Sequence, residues 1–270
     1  MFTAALWTAT FVVLAFLLLP IASVFLRVPP GELIDRLGSD VVRDALIVTL
    51  KTNAIAIGLV IALGTPAAYL IATRSFRARP LVLTLVELPL VLPPAVAGIG
   101  LLAAFGRVGL LGDELGALGL SVPFTQVAVT LAVAFVAGPF YVRPAIAAFE
   151  AVDPTLIAAA RTLGASPARS FARVALPLAS GGLGAGAALA FARGLGEFGA
   201  TIMFAGSLQG VTQTLSLAIY QEFDVNFDGA LAISALLILC SAALLLTVKL
   251  AFGWRSSSAS LIPFARSASR

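Results

Sequence analysis

The chain has 270 residues, of which 60% are apolar and 11% are charged, and its formal net charge is +4. Soluble domains carry about 25% charged residues and disordered segments are poor in apolar residues, so this composition excludes both classes. Histidine is absent and Cys240 is the only cysteine, which excludes His-based catalysis, disulfide frameworks and Cys/His metal clusters.

Six runs of mainly apolar residues follow one another along the chain, and each reaches the length of about 18 residues that predicts a membrane-spanning helix. They are apolar on all sides, whereas a helix of a soluble core has one apolar stripe. The first run lacks a basic preceding segment and a small-residue cleavage site, so it is predicted as a span rather than a signal peptide. We therefore expect one all-α transmembrane domain over residues 1–254, in contact with the lipid bilayer, and a disordered cytoplasmic tail over residues 255–270. The predicted spans are residues 4–26, 45–73, 81–105, 126–149, 177–205 and 230–252.

The basic residues predict the orientation of these spans, because short cytoplasmic loops hold an excess of Lys and Arg. With the N-terminus in the cytoplasm, eleven of the 17 basic residues lie on the inner side, four lie on the outer side, and Lys51 and Arg193 lie within spans. Both termini are thus predicted to be cytoplasmic in a multi-pass protein of the plasma membrane. The same asymmetry accounts for the net positive charge, which gives no support to nucleic-acid binding.

The loop between the fourth and fifth spans is predicted to form two short cytoplasmic helices, the second of which runs into span five. Asp153-Pro154 and Ser166-Pro167 each combine an N-cap residue with a proline at the first helical position. Gly164 can adopt the left-handed conformation that ends a helix. A helix as short as the first is marginal alone, so it should pack against something. It could lie on the inner leaflet as an interfacial helix, or it could insert into the cleft of a partner protein.

This loop resembles the EAA loop of ABC-importer permease subunits, in which Glu-Ala-Ala, three residues, Gly, nine residues and Ile-x-Leu-Pro follow one another. Here Ala158-Ala-Ala, Gly164 and Leu176-Pro177 match, Val174 stands for Ile, and Ala158 stands where the family often has Glu. In that family the loop sits in a groove of the cytoplasmic ATPase and transmits its motion to the spans. The resemblance implies a MetI-like type I ABC-importer permease bundle of six transmembrane helices. The ATPase-docking residues that it implies are Asp153, Pro154, Ala158, Ala159, Ala160, Arg161, Gly164, Ala165, Leu176 and Pro177.

Span three is predicted to contain a break in its helix. Pro89, Pro93 and Pro94 each remove a backbone donor and clash with the preceding turn. Broken backbone at membrane depth is tolerated only where it is buried in protein or lines a cavity. The break therefore either borders the transport path or is a packed kink.

Span five is rich in glycine. Gly194, Gly196 and Gly199 fit the G-x-G-x-x-G dinucleotide fingerprint literally, but that fingerprint needs a preceding strand and a βαβ unit. In a membrane helix, glycines instead allow neighbouring helices to approach closely, and Gly182 with Gly186 adds a GxxxG pair. We therefore attribute the glycines of this span to helix packing.

Span five also carries Arg193 and Glu197, which are four residues apart and are expected to share a helix face. Ionisable groups at membrane depth usually face the interior of the bundle. The pair either holds the bundle together through mutual neutralisation or pairing across subunits, or it borders the channel and sets the field for an anion. Lys51 and Glu87 lie nearer the membrane faces, where long side chains reach water, and are expected to be structural. The candidate residues of the translocation path are Pro93, Pro94, Gly98, Arg193, Gly196, Glu197, Gly199 and Thr201.

The segment from Gly196 to Gly206 reads Gly-Glu-Phe-Gly-Ala-Thr-Ile-Met-Phe-Ala-Gly, and Thr212-Gln-Thr-Leu-Ser-Leu-Ala-Ile-Tyr220 follows it. Together they are similar to permeases for tetrahedral oxyanions, above all those for molybdate and tungstate. Sulfate and thiosulfate permeases share the Gly-Glu-Phe-Gly core and are the alternative. The resemblance implies a membrane subunit without a cofactor, two copies of which enclose an alternating-access path. It implies two further partners, a cytoplasmic ABC ATPase dimer and an extracytoplasmic oxyanion-binding protein.

The chain has no G-x-x-x-x-G-K-[ST] phosphate loop, so ATP hydrolysis is expected in a separate subunit. An intramembrane enzyme is disfavoured, because the spans contain no Ser/His, Cys/His, paired-Asp or metal constellation; turnover by the purified chain would revive that hypothesis. A secondary transporter driven by ions is the other rival. It predicts uptake that survives ATP depletion and is abolished by uncouplers, whereas ATP-driven import predicts the reverse.

Overall fold

The computed structural model describes residues 2–28, 31, 35 and 38–257, and the regular elements that they form are all helical. The helices are α1 (Phe2–Arg27), α2 (Asp40–Thr73), α3 (Arg79–Val91), α4 (Pro94–Phe105), α5 (Gly112–Ala117), α6 (Gln126–Glu150), α7 (Pro154–Thr162), α8 (Pro167–Ser170), α9 (Leu176–Leu195), α10 (Gly199–Ala205), α11 (Leu215–Val225) and α12 (Phe227–Ser257), with a π-helical turn over Phe171–Ala175. Helix α12 continues through Ser257, and the rest of the predicted tail, residues 258–270, lies outside the described residues.

Five helical segments of the described chain are long and apolar enough to cross a bilayer, and the bent pair α3 and α4 makes a sixth if it is counted as one span. The predicted class, an all-helical polytopic membrane protein, is therefore confirmed. The five segments are Phe2–Arg27, Asp40–Thr73, Gln126–Glu150, Pro167–Leu195 and Phe227–Thr247.

Two of the predicted spans are not continuous helices. Over residues 81–105, α3 and α4 meet at an angle of 114°, because Pro93 and Pro94 cannot donate the hydrogen bonds that would carry the helix onward. Over residues 177–205, α9 ends at Leu195 and α10 begins at Gly199. The predicted break in span three is therefore confirmed, whereas the expectation of one continuous helix in span five was wrong.

The core forms where α2, α6, α9 and α10 pack together through small residues, as is typical of membrane helices. A Cβ on Gly182 would lie 2.5 Å from the Cβ of Ala148, and a Cβ on Gly186 would lie 3.2 Å from the Cβ of Pro144. The predicted GxxxG pair is therefore confirmed as a close contact between α9 and α6. By contrast, α1 has no buried residue and packs against α12.

Two ionisable residues within the predicted spans have partners on α6. Glu87 Oε1 lies 2.7 Å from Arg143 Nε, and Lys51 Nζ donates a hydrogen bond of 2.8 Å to Gln126 Oε1. Each contact joins α6 to a neighbouring helix, which agrees with the expected structural role of Lys51 and Glu87.

Candidate functional site

The start of α4, just after the break that follows α3, contacts the start of α10, just after the break that follows α9. A Cβ on Gly199, the first residue of α10, would lie 2.7 Å from the Cβ of Pro94, the first residue of α4. A Cβ on Gly98 would lie 2.6 Å from the carbonyl oxygen of Ala200 and 2.8 Å from the Cβ of Met203. These distances leave no room for a side chain, so glycine is what permits the approach. The predicted path residues Pro94, Gly98 and Gly199 are thus brought together at one junction.

Arg193 and Glu197 form an ion pair at the same junction. Arg193 Nη2, in the last turn of α9, lies 2.9 Å from Glu197 Oε2. Glu197 Oε1 accepts a hydrogen bond of 2.9 Å from the Ala200 N–H, so the carboxylate also caps the first turn of α10. The two residues were expected on one face of a continuous helix, but Glu197 lies in the break, beyond the end of α9.

The two members of this ion pair differ in exposure. The Arg193 side chain is 28% exposed, whereas the Glu197 side chain is 1% exposed. A group that approaches the junction from its open side therefore meets the guanidinium and not the carboxylate. The exposed member of the pair is therefore the cation.

The remaining predicted path residues lie around the junction but differ in accessibility. Pro93 and Gly196 are exposed beside the two breaks. The Pro93 carbonyl accepts hydrogen bonds from the N–H groups that begin α4. Thr201 is fully buried, and its hydroxyl has no hydrogen-bond partner within the described chain. Thr201 is therefore not at an accessible surface.

Asn53 is a residue of this site that the sequence reasoning missed. It is buried on α2, donates a hydrogen bond of 3.0 Å from Nδ2 to the Phe191 carbonyl, and lies against Gly194. Ser216 adds a hydrogen bond of 3.3 Å to the carbonyl of Leu195. Together they hold the end of α9 beside the break. The signal that could have identified Asn53 was its amide within an apolar run, since polar groups at that depth need partners.

The predicted docking segment has the two helices that its sequence indicates. Asp153 Oδ1 accepts hydrogen bonds of 2.9 Å from the Thr155 N–H and 2.8 Å from the Thr155 hydroxyl. These two bonds lower the pKa of Asp153 below its ordinary value. Gly164 has a φ of +85°, the left-handed conformation that glycine adopts readily. Ser166 then caps α8 by accepting a hydrogen bond of 3.3 Å from the Arg169 N–H.

Helix α7 presents two different faces. Ile157, Ala158 and Arg161 line a groove against α2 and α6. Leu156, Ala159 and Leu163 are exposed, and Leu163 retains 89% of its accessible area. By helical spacing these exposed residues share the opposite side of α7, so an apolar face is left open there.

A π-helical turn, Phe171–Ala175, joins the docking segment to α9. Pro177 follows in the first turn of α9. Its ring would crowd the carbonyl of the residue four positions earlier in a regular α-helix, and the wider turn gives the backbone room. The predicted docking residues Leu176 and Pro177 therefore lie at the base of the helix that leads to the junction.

Comparison with known families and proteins agrees with this arrangement. The family model described as "Binding-protein-dependent transport system inner membrane component" matches residues 54–254. The "Molybdenum transport system permease protein ModB" of Mycobacterium tuberculosis is 41% identical over 235 residues, which cover 87% of this chain and 89% of that protein. The "Sulfate transport system permease protein CysT" of Salmonella typhimurium is 35% identical over 253 residues, which cover 92% and 91%.

Two solved structures share the fold. A bacterial ABC transporter that imports the acidic polysaccharide alginate matches with a TM-score of 0.70 at 17% identity, over 92% of this chain and 93% of that one. The MetNI methionine ABC transporter in an inward-facing form matches with a TM-score of 0.62 at 20% identity, over 78% and 94%.

Proposed function

Since this chain belongs to the family of binding-protein-dependent transport system inner membrane components, we propose that it is the permease subunit of an ATP-driven importer for molybdate and tungstate. Membership makes it a multi-pass protein of the inner membrane and a transport subunit rather than an enzyme. It also implies two kinds of partner, an ATPase and a periplasmic binding protein. The relatives named as molybdenum permeases support the cargo that we propose.

The observation that carries the proposal is the junction of the two helix breaks. Two half-helices, α4 and α10, are in contact there. The accessible charge is the cation Arg193, because Glu197 is sequestered. A dianion cannot enter hydrocarbon without compensation, and a guanidinium offers several N–H donors to an oxyanion. In our proposal Arg193 contacts the passing oxyanion, and Glu197 positions the Arg193 side chain.

Two copies of the chain would enclose the path, in line with the homodimer that the family resemblance implies. The path must open alternately to the two sides, since a continuous pore would dissipate the gradient that import creates. ATP binding by the partner would favour the outward-open state and hydrolysis would restore the inward-open state. Coupling of this kind requires that nucleotide and delivered cargo stabilise the same state.

The ATPase is proposed to dock on the loop 150–176 and on Pro177, which follows it, with both termini of the chain on the same cytoplasmic side. The exposed face of α7, with Leu156, Ala159 and Leu163, has the small and apolar character of a surface that enters a cleft. Alanine at position 158 removes the charge that the family often has, so apolar packing would supply more of the contact. An interfacial helix on the leaflet, the alternative, would bind membranes without the ATPase.

Uptake of labelled molybdate by cells or proteoliposomes that contain the complete transporter tests the cargo. We expect uptake that requires ATP, persists with uncouplers, and is little reduced by a large excess of sulfate. Sulfate permeation is the second candidate, supported by the relative that is 35% identical. Competition by sulfate at equal concentration would favour it, and uptake driven by an ion gradient alone would contradict both.

The role of Arg193 is tested by the double substitution R193Q/E197Q. Removing Arg193 alone would leave the buried Glu197 carboxylate unpaired, which destabilises a protein by about 3–5 kcal/mol. The double variant removes both charges, and the amide oxygen that it introduces at position 197 can still accept the bond from Ala200. We expect an assembled transporter with molybdate uptake reduced at least about tenfold. The control K51Q neutralises a cation elsewhere in the bundle and should transport normally. Normal uptake by the double variant would assign the pair a structural role only.

A further inference from the structure

A second site lies at the end of the bundle that carries the docking segment. An open groove of about 640 Å³ is bounded by the last turns of α2 and α6 and by one face of α7. Tyr69, Leu70, Phe149 and Ile157 form its apolar walls. Tyr69 and Phe149 are in edge contact, with ring centroids 5.3 Å apart, which makes that wall rigid. The volume falls in the range of about 300–1,000 Å³ that small-molecule sites occupy.

The charges of this groove are unbalanced. Arg74 and Arg161 line it and have no acidic partner among the described residues. Of the described residues that line it, the one carboxylate, Glu150, is already paired with Arg79. An occupant therefore meets two uncompensated guanidinium groups beside apolar walls.

The apolar side of the groove lies at the end of a helix long and apolar enough to span a membrane. Leu70 lies in the last turns of the membrane-spanning helix α2 and is 57% exposed. An occupant with a charged head and an apolar tail could place its tail against Leu70 without leaving the bilayer. A soluble phosphate has no apolar part that could pack against the apolar walls of the groove. Pro154, Ala158 and Arg161 line the groove and are also predicted docking residues, so an ATPase that used this face of α7 would compete with the occupant. Docking through the exposed face with Ala159 and Leu163 would leave the groove open.

We propose that this groove binds an anionic phospholipid from the adjoining leaflet, with its phosphate at Arg74 and Arg161 and its first acyl carbons against Leu70 and Tyr69. Basic pockets between membrane helices bind phosphate headgroups in this way. The proposed binding does not depend on the cargo. Its occupant ties α7 to α2 and α6, and so stiffens the segment that the ATPase moves.

Native mass spectrometry of the full-length chain in neutral detergent tests the site, with dioleoyl-phosphatidylglycerol and dioleoyl-phosphatidylcholine as competing probes. We expect phosphatidylglycerol to bind preferentially. Each basic residue near a membrane surface contributes about fivefold in lipid affinity, so R74Q/R161Q should weaken phosphatidylglycerol binding by about 25-fold. The matched control R77Q/R169Q removes the same charge from exposed positions outside the groove and should weaken binding less than twofold. A158F, which fills the groove without changing its charge, should also reduce binding.

Three results would overturn the proposal. Equal losses in the two double variants would mean that phosphatidylglycerol responds to general surface charge. If glycerol 3-phosphate competed with phosphatidylglycerol and bound with the same affinity, the groove would be a site for soluble phosphates. Unchanged phosphatidylglycerol binding in R74Q/R161Q, together with loss of ATPase binding, would make the groove part of the docking surface. None of these results depends on uptake of molybdate, so the two proposals can fail separately.

Discussion

The substitution G98A tests the contact between α4 and α10 directly. A Cβ at this position would lie 2.6 Å from the carbonyl oxygen of Ala200, so the two half-helices must separate by about 0.4 Å before that distance reaches 3.0 Å. Forcing an extra carbon into a close-packed contact destabilises by about 1–3 kcal/mol. Gly100, in the same helix, has no atom within 4 Å of its Cβ position. The variant G100A therefore shares the helix propensity gain of Gly→Ala and lacks the clash.

Thermal unfolding of the two variants in the same detergent isolates the contact. A difference of about 1–3 kcal/mol corresponds to a melting temperature about 3–10 °C lower for G98A than for G100A. We also expect G98A to reduce uptake, because the added methyl group forces α4 and α10 apart from their native spacing at the junction. Equal melting temperatures and equal uptake in the two variants would refute the reasoning that this contact is tight and functional.

Three further predictions concern other parts of the chain. The variant G164A should weaken ATPase binding, because an alanine at a φ of +85° is strained by about 1–2 kcal/mol. The control variant G181A has open space around its Cβ position and should bind the ATPase normally. The Asp153 cap of α7 should persist above pH 3.8, the ordinary pKa of aspartate, and be lost as the pH falls through the lower pKa of Asp153 in the folded protein. Hydrogen exchange of the first turn of α7 should therefore rise in acid. It should not rise in D153N, since Asn caps a helix without titrating. The variant T65V should lower stability by about 1–3 kcal/mol, because it leaves the buried Tyr141 hydroxyl without its bond of 2.6 Å; an unchanged melting temperature would contradict this.

Local signals in the sequence predict the docking segment well. Its two helices begin at Pro154 and Pro167, each after a capping side chain, and its turn lies at Gly164. These features depend on residues within one or two turns, so the sequence alone contains the information. The site assignment itself, that an ATPase binds there, stays a prediction.

The geometry of the junction could not be predicted in the same way. Proline spacing indicates that span three breaks, but the angle of 114° depends on how Gly98 and Gly199 pack against elements about 100 residues away in the chain. Similarly, the glycines of span five permit a break without requiring one. The break is stabilised by Glu197, which caps α10, and by Asn53, which bonds to the end of α9. The cap by Glu197 is local, but the bond from Asn53 joins residues far apart in the chain and exists only in the folded bundle. A continuous helix was therefore the simpler but wrong expectation for span five.

The position of α9 explains how a docking event could reach the junction. The helical segment Pro167–Leu195 has 29 residues and, at about 1.5 Å per residue, is about 43 Å long. It is held against α6 at Gly182 and Gly186, about 25 Å from the docking end and about 17 Å from the break. If the segment tilted about this contact as one body, a shift of about 3 Å at the docking end would become about 2 Å at the break. Packed interfaces respond to small displacements by switching between discrete arrangements. In our proposal, the close contact of Gly199 with Pro94 and the buried Glu197 are the features by which this chain turns a motion of its docking segment into the opening of a path.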